Sequence, residues 1–150
     1  MKNKFVMTRF MGLGILLWTH STSSLAQSLV HDDGFATNGV LHLPLGGPTS
    51  HTNLGVTMLV QPDGKIVFSG VYESNGTFSS ILVRRNADGT ADNTFDGDGI
   101  RIDDFATDFS YFYEIALQSD NKIVAVGSMG SGPSQNTLVA RYNPNGTLDN

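Results

Sequence analysis

Short runs of apolar and β-branched residues alternate along this chain with clusters of Gly, Asp, Asn and Pro. The runs of the first cycle occupy residues 56–60, 65–70, 79–85 and 100–103, and a new run begins at residue 111. β-Branched and aromatic residues that lie between turn-forming clusters favour strands joined by tight turns. The pattern therefore predicts an all-β protein in which four short antiparallel strands form one unit.

This unit is repeated along the chain at a spacing of 57 residues. Residues 61–93 align without a gap on residues 118–150, and 13 of the 33 aligned pairs are identical. A partial third copy lies at residues 35–40, which align on residues 95–100. A fixed period of this length is typical of units that stack or close into a ring, and four antiparallel strands per unit describe one blade of a β-propeller.

We therefore predict a partial β-propeller of four-stranded antiparallel blades with a 57-residue repeat. The predicted divisions are a signal peptide over 1–26, a partial repeat with a closing strand and a connection over 27–58, a first full blade over 59–115 and a truncated second blade over 116–150. A complete ring has about four to eight blades, so the chain is predicted to be a fragment whose partners include the remaining blades of a longer protein. Two blades alone expose strand edges, which favours self-association.

The motifs of the repeat resemble those of a known family. Q-P-D-G-K-I-V-x-x-G at residues 61–70, followed by R-x-N-x-D-G-T-x-D-x-T-F at residues 84–95, is similar to the delta-60 repeat, and the pattern returns at 118–127 and 141–150. The resemblance implies a β-propeller domain of unknown function in an exported bacterial protein, and it implies no catalytic residues. The second copy departs from the motif in its first turn, where Asn121 stands in place of glycine.

The first 26 residues have the pattern of a secretory signal. Lys2, Lys4 and Arg9 precede an apolar stretch over residues 10–18, and small residues lead to a predicted cleavage site after Ala26. The apolar stretch is too short to span a membrane, which takes about 20 residues, so no membrane insertion is predicted after cleavage. The predicted location is secreted, periplasmic or at the cell surface.

Composition narrows the classes of partner and cofactor. Without residues 1–26 and their three basic side chains, six of the nine Lys and Arg remain against 14 Asp and Glu, a formal net charge of −8. This acidic balance argues against a nucleic-acid partner, because phosphate backbones bind basic surfaces. The chain has no cysteine, which excludes disulfides, thiolate metal sites and cysteine nucleophiles. It has no phosphate-binding loop or dinucleotide fingerprint either, so no cofactor is predicted.

Acidic residues are the first candidates for chemistry. Asp96 and Asp98 resemble part of a calcium loop, but Thr94 carries no charge and no Glu follows at the spacing of an EF-hand. A polar turn is therefore favoured, and no metal site is predicted. Other charged residues recur in both copies, which favours hydrogen bonds within turns and one Asp–Arg pair per blade over catalysis. These residues are Asp63, Asp92, Asp120 and Asp149, with Arg84 and Arg141.

The connections between the second and third strands, around residues 73–78 and 128–135, differ most between the copies. We predict that they carry the ligand-binding residues, which are Glu73, Asn75, Phe78, Met129 and Gln135. Tyr111, Phe112 and Tyr113 are consecutive on a strand, so their rings point to both faces and at least one is expected to be exposed. Stacking on a sugar is one use for such a ring, and packing between blades is the favoured one.

These observations favour a non-enzymatic function. The prediction is an exported β-propeller scaffold that binds a protein or a glycan through the variable loops, with no catalytic and no cofactor-binding residues. The alternative is an extracellular polysaccharide hydrolase or lyase, whose site would lie in blades outside this chain. Release of new reducing ends from a polysaccharide would distinguish the enzyme from the scaffold.

Overall fold

The structure, a computed structural model, describes residues 32–45, 53–105 and 109–150, and the predicted signal peptide lies outside them. All of the described residues belong to one unit of the chain, His31–Asn150. They contain seven strands and one short 3-10 helix at Gly132–Ser134. The strands are β1 Asn53–Val60, β2 Ile66–Ser74, β3 Thr77–Arg85, β4 Ile100–Asp103, β5 Ser110–Leu117, β6 Ile123–Met129 and β7 Asn136–Tyr142. The prediction of an all-β protein is confirmed.

The first sheet contains four antiparallel strands in the order β1-β2-β3-β4. The connection predicted between β2 and β3 around residues 73–78 is wrong in extent, because only Asn75 and Gly76 lie outside the strands. These two residues have φ of 52° and 80°. An Asn-Gly pair with two positive φ values is typical of a two-residue hairpin, so pairing extends to Ser74 and Thr77.

The second sheet contains three antiparallel strands in the order β5-β6-β7. The two repeats align here without a gap in the sequence. However, β6 ends earlier in its repeat than β2 does, and β7 begins later than β3 does, so residues 130–135 form a longer loop. Ser128 and Met129, which the sequence assigned to this connection, belong to β6. The sheets divide the chain between β4 and β5, so the predicted boundaries at 58/59 and 115/116 fall within β1 and β5.

Both sheets carry the same irregularity in their first strand. The register of β1 against β2 shifts between Gly55 and Thr57, and that of β5 against β6 shifts between Phe112 and Glu114. A Cβ added to Gly70 of β2 would lie 1.8 Å from the Leu54 carbonyl oxygen. A Cβ added to the equivalent glycine of β6, Gly127, would lie 1.9 Å from the Tyr111 carbonyl oxygen, so the backbones of the first two strands approach closely in both sheets.

The hydrophobic core lies between the two sheets. Val67 and Leu82 of the first sheet are fully buried in one cluster with Phe112, Ile123 and Tyr142 of the second. Side chains alternate between the two faces of a strand, so each sheet presents one face to this core and a second face away from it. The two repeats therefore pack face to face, as consecutive blades do.

Candidate functional site

The turns at one end of the sheets hold a buried ionic cluster centred on Arg84. Its Nε donates to Asp92 Oδ2 at 2.6 Å, its Nη2 donates to Thr94 Oγ1 at 3.0 Å, and its guanidinium lies 4.7 Å from the centre of the Phe95 ring. Its Nη1 donates to the carbonyl oxygen of Pro144, in the second repeat, at 2.6 Å. Arg84 therefore ties the last turn of the first repeat to the neighbouring repeat.

The second repeat contains the same pair in a more exposed position. Arg141 Nε lies 2.5 Å from Asp149 Oδ2, and Lys122 Nζ lies 3.0 Å from the same oxygen. The Arg141 side chain is 50% exposed, whereas that of Arg84 is 5% exposed. The predicted Asp–Arg pair in each blade is confirmed, and its recurrence identifies it as part of the fold.

Carboxylates of the turns accept hydrogen bonds from backbone N–H groups, as the sequence predicted. Asp63 accepts from Lys65 N at 3.1 Å, and Asp120 accepts from Lys122 N at 3.3 Å. Asp92 accepts from Thr94 N at 3.1 Å. Such bonds satisfy donors that a tight turn leaves without strand partners.

Asp96 and Asp98 lie in the turn before β4. Asp98 Oδ1 accepts a hydrogen bond from Ile100 N at 2.8 Å, and Asp96 Oδ1 lies 3.4 Å from Arg101 Nη1. In the described part of the chain, His, Asp and Glu side chains form no group of three or more that would hold a metal ion. The contacts of both aspartates are those of a polar turn.

The opposite end of the sheets carries a row of four aromatic rings, Phe78, Phe109, Tyr111 and Tyr113. Ring centres are separated by 5.5 Å from Phe78 to Phe109, by 4.7 Å from Phe109 to Tyr111 and by 4.5 Å from Tyr111 to Tyr113. The last two contacts are edge-to-face, an arrangement that aromatic rings favour. We refer to these four residues as the aromatic row.

The row ends in a solvent-exposed ring. Tyr113 is 44% exposed, while Phe112 beside it is fully buried in the core. One of three consecutive aromatic residues is thus exposed, as predicted. The hydroxyl groups of Tyr111 and Tyr113 are hydrogen-bonded to each other, and this bond is the main cause that raises the pKa of Tyr111 to about 12. The Tyr111 phenol therefore stays neutral at physiological pH.

Tyr113 borders an open cavity of about 290 Å³ with an uncharged polar lining. The other lining residues are Gly127, Ser128, Gln135, Asn136 and Thr137. Asn136 Nδ2 donates to the Ser134 carbonyl oxygen at 2.8 Å, which holds its amide in place beside the 3-10 helix. The cavity combines an aromatic surface with amide and hydroxyl groups, a set of groups that suits a neutral polar ligand.

The structure separates the predicted ligand-binding residues. Phe78 belongs to the aromatic row and Gln135 lines the cavity. Glu73 is buried within β2, and Met129 ends β6 partly buried against the core, so the prediction that they lie in exposed loops is wrong. Asn75 occupies the β2–β3 turn. Glu73 and Met129 were misplaced because β2 and β6 extend further than the variability of the sequence suggested.

The sequence analysis missed Phe109 and the continuity of the row. The signal was present in the alternation of Phe109, Tyr111 and Tyr113, because side chains two positions apart share one face of a strand. The row is also unique to one repeat, since Leu54 and Val56 occupy the positions equivalent to Tyr111 and Tyr113. The fold repeats without it, so the row is not required to build a blade.

Two repeated antiparallel sheets, which pack face to face and each contain an Asp–Arg pair at the equivalent position, make this chain a β-propeller domain. A model of one family, described as "Domain of unknown function (DUF5122) beta-propeller", matches residues 61–95 and 118–150. Those residues include the Arg84 cluster and its equivalent in the second repeat. Comparisons with curated proteins and with solved structures found no match. In the described residues, no helix has the length and apolar character needed to cross a membrane.

Proposed function

We propose that this protein is an exported, non-enzymatic propeller of the delta-60 type that binds a neutral glycan at the aromatic row. The exposed Tyr113 ring beside an uncharged polar cavity is the observation that carries the proposal. The C–H faces of a sugar pack on an aromatic ring, while its hydroxyl groups exchange hydrogen bonds with amide and hydroxyl side chains. Tyr113 supplies the first contact, and Gln135, Asn136 and Thr137 supply the second.

The composition of the cavity favours binding over hydrolysis. A glycosidase requires two carboxyl groups on either side of the scissile bond, about 5 to 9.5 Å apart. The residues that line the cavity in the described chain include no Asp and no Glu. Glu114, which follows Tyr113, accepts a hydrogen bond from Thr57 Oγ1 at 2.9 Å. A neutral lining also disfavours charged polysaccharides, which would leave a charge without a partner.

Binding to a panel of soluble neutral polysaccharides, measured by isothermal titration, tests this function. Tyr113→Ala is expected to weaken binding about 30-fold, the loss typical of an aromatic anchor. Val56→Ala is the matched control, because Val56 is the repeat equivalent of Tyr113 and is 43% exposed. The control is expected to bind as the unmodified chain does. Equal binding by Tyr113→Ala, or no binding to any neutral glycan, would overturn the proposal.

The same samples distinguish a scaffold from an enzyme. Bound polysaccharide is expected to be recovered without new reducing ends after prolonged incubation. New reducing ends that are lost when an acidic residue is mutated would show that the protein is a hydrolase and not a scaffold.

Export has a separate test, because residues 1–26 carry a basic start, an apolar stretch and small residues before the predicted cleavage site. Expression in a bacterium is expected to give an extracytoplasmic protein beginning at Gln27, and retention of the full chain in the cytoplasm would contradict export.

A further inference from the structure

The tripeptide Asn-Gly-Thr occurs twice in this chain. The first copy is residues 75–77, at the turn between β2 and β3, and the second is residues 145–147, in the turn after β7. Asn-x-Thr is the acceptor pattern of N-linked glycosylation, in which the asparagine amide takes a sugar. The two copies are identical in sequence, so only their structural surroundings distinguish them.

The first copy forms the tip of the β2–β3 hairpin. Asn75 and Gly76 lie between the two strands, have φ of 52° and 80°, and are both exposed. Apart from its chain neighbours, nothing lies within 4 Å of a Cβ added to Gly76. Exposed tips of small and polar residues are the positions where a fold accepts bulky additions. The surface around Asn75 therefore has room for an attached glycan.

The second copy is held where the two repeats meet. The Asn145 carbonyl oxygen accepts a hydrogen bond from Asp96 N at 2.8 Å, and Asn145 Oδ1 accepts one from Thr147 Oγ1 at 2.7 Å. Gly146 is buried, and a Cβ added to it would lie 3.0 Å from Asp96 N and 3.1 Å from the Phe95 ring. The backbone of this copy is thus packed against the first repeat.

The two copies also differ in what must open before an enzyme reaches the asparagine amide and the threonine hydroxyl. At the first copy, the pair next to the turn is Ser74 with Thr77, the last pair of its ladder. Terminal pairs open at low free energy, because few buried contacts depend on them. At the second copy, opening breaks the bond from Asp96 N and the 2.8 Å bond from Asn143 N to the Thr147 carbonyl oxygen. The first copy is therefore the more accessible acceptor.

We propose that Asn75 is an acceptor of an N-linked glycan in the folded protein and that Asn145 is not. The donor is an oligosaccharide that is linked to a lipid through pyrophosphate. Asn75 Nδ2 forms a bond to C1 of the first sugar, and the bond between C1 and the pyrophosphate oxygen breaks. The lipid pyrophosphate leaves with the bonding electrons, and the amide nitrogen loses one proton.

Use of this site in a cell requires export, because oligosaccharyltransferases act on the extracytoplasmic side of a membrane, and it therefore rests on the proposed function. The attached glycan would lie near the aromatic row, since Asn75 precedes Phe78 by three positions. It would extend from the hairpin tip into solvent, so the packing of the two sheets is expected to stay unchanged.

A reaction with purified components tests the proposal. The folded chain is incubated with an oligosaccharyltransferase that recognises Asn-x-Thr and with a lipid-linked oligosaccharide, and the products are mapped by mass spectrometry. One glycan at Asn75 is expected. Peptides of residues 71–80 and 141–150 are the sequence controls, and both are expected to be modified. Modification of both peptides, but of Asn75 alone in the folded chain, would show that the fold selects the site.

Variants of the acceptor pattern give the matched controls. Thr77→Val keeps a β-branched side chain and removes the hydroxyl, so addition of the glycan is expected to be lost. Thr77→Ser keeps the hydroxyl and is expected to remain an acceptor. Asn145→Gln is expected to take one glycan, as the unmodified chain does. Circular dichroism and urea unfolding of each variant show whether it folds, and the Thr77→Ser and Asn145→Gln variants keep the comparison open if Thr77→Val does not.

The outcomes decide the proposal in either direction. A folded chain that takes no glycan, or that is modified equally at Asn75 and Asn145, overturns it, and so does a peptide of residues 71–80 that is not modified. Expression with residues 1–26, in a host whose export membrane carries the enzyme, separates this site from export. An exported chain without a glycan contradicts the site alone. A chain retained in the cytoplasm contradicts export, and the reaction with purified components still decides the site.

Discussion

The hydroxyl of Thr57 donates a hydrogen bond of 2.9 Å to the carboxylate of Glu114, a residue that lies 57 positions further along the chain. The two residues occupy the same position of consecutive repeats, on β1 and β5. Equivalent strands therefore lie side by side where the two sheets meet. The two copies of the sequence repeat are therefore also neighbouring blades in space.

Replacing Arg84 is expected to destabilise the protein far more than replacing Arg141. Arg84→Met removes bonds to Asp92, Thr94 and Pro144 and leaves a buried carboxylate with Lys65 as its remaining cation. Breaking a buried pair in this way costs about 3 kcal/mol. Urea unfolding of both variants measures the difference.

Arg141→Met is the matched control, because it breaks the equivalent pair where the arginine is half-exposed. Its expected cost is within about 1 kcal/mol, as for surface pairs. Equal losses for the two variants would show that burial by the neighbouring repeat does not strengthen the pair.

The buried carboxylate of Asp92 makes stability depend on acid pH. Burial acts to raise its pKa, but hydrogen bonds from Thr94 and Lys65 and the charge of Arg84 outweigh burial and hold the pKa well below its usual value. A group whose pKa is lower in the folded state stabilises that state above the unfolded pKa of about 4, and this stabilisation is lost as the pH falls further.

The free energy of unfolding in urea is therefore expected to fall steadily as the pH is lowered below about 4. Asp92→Asn is expected to be less stable at pH 7 and to show a shallower loss below pH 4, because the amide does not titrate. Hydrogen bonds from Lys122 and Arg141 lower the pKa of Asp149 as well, so some acid dependence is expected to persist. Parallel curves for the two proteins would contradict the role of Asp92.

The glycine opposite the irregularity in β1 is expected to tolerate no side chain. In Gly70→Ala the new Cβ would lie 1.8 Å from the carbonyl oxygen of Leu54, and backbone on both strands would have to move. Overpacking against backbone is expected to cost about 3 kcal/mol in thermal or urea unfolding. Gly55→Ala serves as the comparison, since nothing lies within 4 Å of its added Cβ. Its stability is expected to stay within about 1 kcal/mol of the unmodified chain.

The hydroxyl of Tyr142 is expected to contribute measurably to the packing of the two sheets. It donates to Asp103 Oδ2 of β4 at 2.7 Å, and burial is the main cause that raises its pKa. Tyr142→Phe keeps the ring in the core and removes one hydrogen bond to a charged acceptor, at an expected cost of about 2 kcal/mol. Tyr72→Phe on β2 is expected to change stability by less than about 0.5 kcal/mol. Identical unfolding curves for Tyr142→Phe and the unmodified chain would contradict this contribution.

Much of the fold was predictable because repetition and turn chemistry are local properties. The glycines at 70 and 127, the aspartates of the turns and the Arg84–Asp92 pair recur at one period, and each repeat had to use them in the same way. The extent of β2 and β3 was not predictable from variability, because an Asn-Gly hairpin lets the strands continue to Ser74 and Thr77. Glu73 was misplaced for that reason.

The residues of the candidate site likewise fall into those predictable from the sequence and those that depend on tertiary packing. The sequence by itself determined an all-β chain, its repeat, the turns and the ionic pairs, since these follow from side-chain type and spacing. Only the tertiary structure decided that the ring of Phe78 in the first sheet contacts the ring of Phe109, which precedes the second sheet. It also decided that Phe112 is buried while Tyr113 is exposed, and that Leu82 is buried while its repeat equivalent Val139 is exposed. Each of these depends on which blade packs beside which, so equivalent positions of the two repeats are buried to different extents.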